Sequence, residues 1–303
     1  MSNNYITKNK LTKKQLFSSY VGASLITTIL TNPITTYRQL VQQYAKNDIG
    51  TIIEPKLAVR QVKDVFIKSP ISASLSGLVP RIIGVNFKTV PKFGFLWGIT
   101  HLTGGVEPGI ISAIGASIFS SYCINPIRVI EKQQRIDLKK TGKSRKFISI
   151  IKEAHSENFK PLFRGTTLLM GHSLASSSTG LVGQPKLQKY IENILSNNYS
   201  QEKTFSFSKT TANLIASAFV SPIYIVMTNP ISRLEVIMQT APIKNKEITI
   251  SEALKELLND GKYYGIRGVF RGQGLGILKA ILTLSLFHES RMFCEKMIEK
   301  NNL

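Results

Sequence analysis

Apolar stretches alternate along this chain with basic, polar segments, and the apolar stretches are rich in Ser, Thr and Gly. None is an unbroken run of about 20 aliphatic residues, the length that spans a bilayer unaided. Helices with lipid on one side and a polar cavity on the other account for the mixture, since Ser and Thr there bond their own backbone or line water. A soluble, all-helical protein is the competing reading. The pattern predicts six helices, over residues 14–42, 72–100, 107–135, 166–190, 208–239 and 273–297.

The helices come in pairs because the sequence repeats itself. Val21 to Ile34 reads VGASLITTILTNPI, and Ile114 to Ile127 reads IGASIFSSYCINPI. A third copy of the ending is TNPI at Thr228 to Ile231. The three prolines lie 93 and 104 residues apart. A second marker follows each first one: SGLVPR from Ser76, FRGTTL from Phe163 and FRGQGL from Phe270. Each unit therefore reads helix, Asn-Pro-Ile, basic segment, Gly, helix. The units cover 14–100, 107–190 and 208–297 within a single domain.

Proline inside an apolar helix removes an N–H and clashes with the preceding turn, so three in register predict three kinks at one depth. Alternatively, each proline opens a separate helix at its first turn. Between paired helices the loops are basic: Lys132, Arg135, Lys139, Lys140, Lys143, Arg145 and Lys146 crowd one of them. The positive-inside rule then puts the three long loops on one side and both termini on the other. Short amphipathic helices are expected in those loops at the membrane interface, one at Ile250 to Leu258 opened by a Thr249-x-x-Glu252 capping box.

Charge adds a partner class. Lys and Arg outnumber Asp and Glu 39 to 18, a formal net charge of +21. Such a balance points to nucleic acid, an anionic membrane surface or an anionic solute. Aromatics are not interleaved with the basic clusters as stacking platforms, so nucleic acid is not expected. Cys123 and Cys294 are the only cysteines and form no CxxC, which argues against a disulfide framework or zinc site. Met1 to Lys14 lacks the apolar core of a secretory signal and has no arginine. No HExxH is present. Gly272-x-Gly274-x-Gly276-x-x-Lys279 lacks the Gly-Lys-Ser/Thr end of a phosphate loop. Neither an enzyme nor a cofactor is expected.

Threefold repetition, proline in each odd helix and the aromatic-basic-Gly marker together resemble the mitochondrial carrier family over essentially the whole chain. The resemblance implies an all-α membrane protein. Its six transmembrane helices come from three repeats of helix, short matrix helix and helix around a central cavity. The family's odd helices end in Pro-x-acid-x-x-base. Here the equivalents are Pro33-x-Thr35-x-x-Arg38, Pro126-x-Arg128-x-x-Glu131 and Pro230-x-Ser232-x-x-Glu235, and none matches fully. Carried over, the family's ring of matrix-gate pairs becomes Thr35 with Glu131, Arg128 with Glu235 in reversed polarity, and Ser232 with Arg38. Gln42 and Gln239 fall at bracing positions, and Arg135 takes the third. Phe163-Arg164-Gly165 and Phe270-Arg271-Gly272 resemble the family's cardiolipin-binding marker, where a helix N-terminus receives a phosphate. Glycine as a tight turn is an equally good account of the same residues.

In the family, selectivity rests on the even helices near mid-membrane. The equivalent positions lie near Gly84/Val85, His172/Ser173 and Gly276, with Lys88, Lys92 and Lys279 one or two turns on. The substrate-contact set expected here is therefore Lys88, Lys92, His172, Ser173, Gly276 and Lys279. Lys88 and Lys92 share a face at i,i+4. Charges at membrane depth are costly and face a cavity or a partner, so these lysines predict a small anionic cargo. His172 could equally be a histidine that simply hydrogen-bonds a neighbour.

The function expected is transport of a small anionic metabolite across the mitochondrial inner membrane by alternating access, by a monomer with termini in the intermembrane space. Cardiolipin or a similar anionic lipid is the expected lipid partner. A non-transporting carrier-fold scaffold is the alternative, and a different organelle membrane remains open.

Overall fold

The computed structural model describes residues 12–43, 53–102, 110–178, 187–191, 193–194, 202–243 and 248–301. Helices account for the secondary structure, and no strand occurs among the described residues. In chain order they are α1 (Lys13–Gln43), α2 (Pro55–Lys68), α3 (Pro70–Leu75), α4 (Leu78–Leu102), α5 (Ile110–Thr141) and α6 (Phe147–Ser156). There follow a 3-10 turn (Lys160–Phe163), α7 (Thr166–Ser178), α8 (Glu202–Thr240), α9 (Ile250–Tyr264), α10 (Ile266–Val269) and α11 (Gln273–Asn301).

The Asn-Pro-Ile prolines do not open new helices. Pro33, Pro126 and Pro230 lie inside unbroken α1, α5 and α8. Hydroxyls flank them and bond back one turn: Thr31 and Thr35 to the carbonyls of Thr27 and Thr31, Ser121 to Ser117, and Thr228 to Tyr224. Back-bonded hydroxyls are tolerated inside a helix and commonly bend it. The second helix starts later than the sequence pattern predicts. Gly77, at φ 69°, separates α3 from α4. The third runs past its predicted end, to Thr141.

Six helices close a ring in the order α1, α4, α5, α7, α8, α11 and back to α1, each packing on the next. Small residues permit the closest approaches. A Cβ on Gly22 of α1 would lie 3.0 Å from Cys294 Sγ of α11. One on Gly115 of α5 would lie 2.9 Å from the Phe95 ring of α4. The Gly-Ala-Ser triplet shared by the first two repeats thus marks a helix crossing. Aromatic and cationic contacts add to the α1–α11 seam: Tyr20 and Phe287 lie 5.7 Å apart, and Arg291 donates to the Tyr20 hydroxyl at 2.9 Å.

The buried apolar clusters gather at one end, beneath the short helices. Leu40, Val41 and Leu138 pack with Ala58 and Val62 of α2. Val129 and Ile130 pack with Ile150 and Ala154 of α6. Ile237 and Met238 pack with Ala253 and Leu257 of α9. Each short helix buries its apolar face on the last turns of its own repeat's odd helix, at about 2 kcal/mol per large side chain. Thr249 caps α9 through the reciprocal box with Glu252.

Elsewhere the burial order is reversed. On α1, Ser19, Thr27, Thr28 and Thr31 are buried while Ile29 and Leu30 are exposed. On α5, Ser117, Ser120 and Ser121 are buried while Ile118, Phe119 and Tyr122 are exposed. On α8, Ser217, Ser221 and Thr228 are buried while Phe219, Ile223, Val226 and Met227 are exposed. By length and composition one described stretch qualifies as a membrane span, Leu214–Thr240 with mean hydropathy 1.6.

Candidate functional site

The ends of α1, α5 and α8 that carry the three Asn-Pro-Ile tripeptides also touch one another. Three polar nodes form there, one per repeat. In the first, Asn32 Nδ2 donates to the carbonyls of Ser74 at 2.6 Å and Ser76 at 3.3 Å, just before Gly77. In the second, Asn125 Nδ2 donates to the carbonyls of Leu162 at 3.0 Å and Arg164 at 3.2 Å, just before Gly165. Both asparagines therefore hold the turn where their own repeat's even helix begins. Gly77, Gly165 and Gly272 all stand at positive φ, between 69° and 76°, which glycine adopts without the penalty of a Cβ.

The next repeat closes each node. Arg135 Nη2 reaches Asn32 Oδ1 at 3.5 Å, and Gln239 Nε2 reaches Asn125 Oδ1 at 2.7 Å. A Cβ on Gly77 would press on Glu131 and Arg135, while one on Gly165 would touch Gln239, and one on Gly272 would touch Gln42 and Arg38, at ordinary contact distance. The bracing positions Arg135, Gln239 and Gln42 thus sit on the three marker glycines.

The third node is built differently. Arg38 Nη2, not Gln42, donates to Asn229 Oδ1, at 3.1 Å. Asn229 Nδ2, Gln42 Nε2 and Arg38 Nε are buried and find no acceptor among the described residues. Beside them lies Gly276, where a Cβ would sit 3.0 Å from Arg38 Nε.

The charged residues expected at the gate are partly brought together. Arg128 Nη1 lies 3.7 Å from Glu235 Oε1. Lys132, read from the sequence as part of a basic loop, is instead buried within α5 and reaches the same oxygen at 2.7 Å. Glu131 pairs with Arg135 one turn on and with Arg81 of α4 at 3.7 Å. Thr35 gives its hydroxyl to Thr31 and so does not reach Glu131. Arg38 goes to Asn229, not to the half-buried Ser232. Arg135 is fully buried, with Thr36, Gln39 and Glu131 as acceptors.

Deeper in the ring the balance is cationic. Lys279 of α11 shares the field of Arg81, Arg38 and Arg128, against the carboxylate of Glu131. His172 of α7 faces Arg128, Arg38, Lys279 and Glu235, and its Nε2 lies 2.9 Å from the Tyr224 hydroxyl. Ser173 beside it is buried. The side chains of Lys88 and Lys92 lie outside the described residues.

The arginines of the marker triplets turn inward. Arg164 donates to the carbonyls of Ala241, Pro242 and Ile243. Arg271 donates to Ile53 O at 2.7 Å and Asp260 Oδ1 at 2.9 Å. Asp260 also takes Arg233 Nη2 at 2.9 Å, so two arginines clamp one buried carboxylate and tie α9 to α8 and to the turn before α11. Charge-assisted pairs of this kind are the stronger hydrogen bonds. Any lipid phosphate at these turns would meet backbone N–H groups, since both guanidiniums are engaged within the protein.

Arg81, Tyr224 and Asp260 are residues that sequence reasoning passed over, while Lys132 was assigned to a basic loop and the asparagines served only as marks of the repeat. The asparagines carried a signal, since they stand in all three tripeptides. No group of His, Cys, Asp and Glu among the described residues could hold a metal ion. In comparisons with known proteins, no family model matches the chain, and no curated protein matches it.

Proposed function

We propose that this chain is a divergent carrier of the mitochondrial type, moving a small anionic metabolite across the inner membrane by alternating access. The observation that carries the reading is the reversed burial within a closed ring of six helices: serines, threonines and cations turn inward while isoleucine, leucine and phenylalanine turn out. Water would oppose that arrangement and a hydrocarbon surround favours it. Three repeats meeting at Asn-Pro-Ile give the pseudo-threefold frame in which helices rock about a shared central site.

The cargo class follows from the inner charges. Arg38, Arg81, Arg128, Lys132, Arg135 and Lys279 outnumber Glu131 and Glu235, and Arg38 Nε has no acceptor beside Gly276. A carboxylate or phosphate oxygen supplies the missing negative charge and acceptors. With the ring closed where α1, α5 and α8 meet, cargo enters from the opposite end.

Purified protein reconstituted into liposomes tests this. Di- and tricarboxylates, phosphate, nucleotides and amino acids are offered as labelled solutes. Uptake of an anion that saturates with concentration is expected. Uptake of nothing in the panel overturns transport and leaves a membrane scaffold of the same fold. Extraction of the protein from membranes by alkaline carbonate would overturn the membrane reading altogether.

A further inference from the structure

We infer that the third Asn-Pro-Ile node is an oxyanion site, in which Arg38, Gln42 and Asn229 together hold a carboxylate, phosphate or sulfate group. The inference rests on the anionic-cargo reading and locates one charged group of that cargo at the closed end of the ring, rather than on the even helices. Arg38 and Gln42 stand one turn apart on α1 and share a face. Both flank the turn that opens α11: a Cβ on Gly272 would lie 3.4 Å from Gln42 Cγ and 3.6 Å from Arg38 Cγ. Asn229 of α8 joins them, because its Oδ1 takes Arg38 Nη2 at 3.1 Å. That bond also fixes the amide, since a guanidinium only donates, and it turns Asn229 Nδ2 away from Arg38.

Arg38, Gln42 and Asn229 are 7%, 3% and 0% exposed, and Arg38 Nε, Gln42 Nε2 and Asn229 Nδ2 meet no acceptor among the described residues. The second node shows what is missing. There Gln239 Nε2 reaches Asn125 Oδ1 and the Arg164 carbonyl, and Asn125 Nδ2 reaches the carbonyls of Leu162 and Arg164. A counter-charge is missing as well. Arg135, Arg233 and Arg271, buried as deeply, each pair with a carboxylate. Arg38 has neutral Asn229 alone among the described residues. Glu235 is held by Lys132 at 2.7 Å, and Ser232, expected opposite Arg38, carries no charge. Water satisfies a donor but does not balance a buried guanidinium. An oxyanion does both, through charge-assisted hydrogen bonds.

The three donor atoms are sealed in the closed ring. Gly276 of α11 lies over one of them, since its Cβ would sit 3.0 Å from Arg38 Nε. The oxyanion therefore enters from the cavity as the first turn of α11 moves off Arg38, and its binding favours that opened seam over the closed one. No covalent bond forms or breaks.

Calorimetry on the full chain in detergent tests this, with sulfate, inorganic phosphate and succinate as probes. Asn229→Asp is isosteric and puts a carboxylate on Arg38 in place of the ligand. Gln42→Glu repeats the exchange from α1. Lys255→Gln, on the exposed face of α9, makes the same change of net charge away from the node. Two results together support the inference. One is saturable binding of at least one probe, kept in Lys255→Gln and weakened by at least about tenfold in a carboxylate variant, the loss of one hydrogen bond to a charged group. The other is a higher melting temperature of that variant without anion. Binding that is undiminished in both carboxylate variants overturns the inference and leaves the cargo reading standing. So do melting temperatures below wild type in both, which would mean that the charge of Arg38 is already balanced. Wild-type protein that binds none of the probes saturably overturns the inference too, and uptake into liposomes then decides the cargo reading by itself.

Discussion

Glu235 takes Lys132 at 2.7 Å and Arg128 at 3.7 Å on one oxygen, and is almost fully buried. Removing its charge strands a buried ammonium. Breaking such a pair costs about 3–5 kcal/mol, whereas replacing both members by apolar groups is often neutral. Glu235→Gln is therefore expected to lower the melting temperature sharply, and Lys132→Met with Glu235→Leu to lower it less than either single change. A double variant that melts below both singles would show that the pair itself is net stabilising. The shared oxygen also alters the charge-swap experiment. Exchanging Arg128 and Glu235 leaves Lys132 facing an arginine, so transport should recover only when Lys132 is reversed as well. Recovery by the two-residue swap alone would assign Lys132 no part in the gate. Arg128 with Glu235 could be read only through the family resemblance, whose motif positions pair around the ring. Lys132 and Arg81 could not, because they lie outside that motif and no sequence spacing encodes a contact between helices.

The Asn-Pro-Ile segment is where the repeats differ from one another. Asn32 and Asn125 each tie an odd helix to the turn opening an even one, but Asn229 lacks those two bonds. Truncating a doubly bonded buried amide leaves two orphaned carbonyls and should cost about 1–3 kcal/mol. Asn32→Ala and Asn125→Ala are expected to destabilise by that amount, and Asn229→Ala by less, as read by thermal unfolding. Equal losses at all three would erase the distinction between the nodes. Glycine sorts the same way. Gly268→Ala should be the most damaging alanine replacement, since its Cβ would lie 2.2 Å from the Asp260 carbonyl, a backbone atom that cannot turn aside. The sequence revealed the proline and the marker glycines because they recur at fixed spacing. It marked the proline as the active element, whereas the structure gives the joining role to the asparagine before it. Prolines inside a helix leave no local trace of which side chain bridges to the next element.

At the scale of the molecule, six long helices were legible because the apolar segments and the repeat agree, while residues 179–186 of the fourth predicted span lie outside the described residues. Their polar interiors were legible only in outline, as a polar cavity on one side of each helix, since Ser and Thr can face water, lipid or their own backbone with equal local propensity and so do not say which residues turn inward. Orientation can be read by labelling. In a Cys123→Ser, Cys294→Ser background, Lys143→Cys in an exposed loop and Lys262→Cys on the exposed last turn of α9 should react with an impermeant maleimide from one side of a proteoliposome. Thr12→Cys and His101→Cys should react from the other. Labelling of Lys143→Cys and Thr12→Cys from the same side would rule out an odd number of crossings between them, and with it the proposed topology.

The contact between α1 and α11 sets an order of events. Helix α1 is made before the other helices of the ring and α11 after them, yet Gly22 packs on Cys294 and the Tyr20 hydroxyl accepts from Arg291. While the ribosome works, the first helix waits with its inward serines and threonines half uncovered. The seam that closes last is also the one whose node keeps three donors without acceptors. A newly made chain thus spends its vulnerable period with one flank open, which is when a helper protein would bind and a protease would cut. Joining the two ends by a short linker and opening the chain between repeats would move that vulnerable flank elsewhere, without altering the finished ring.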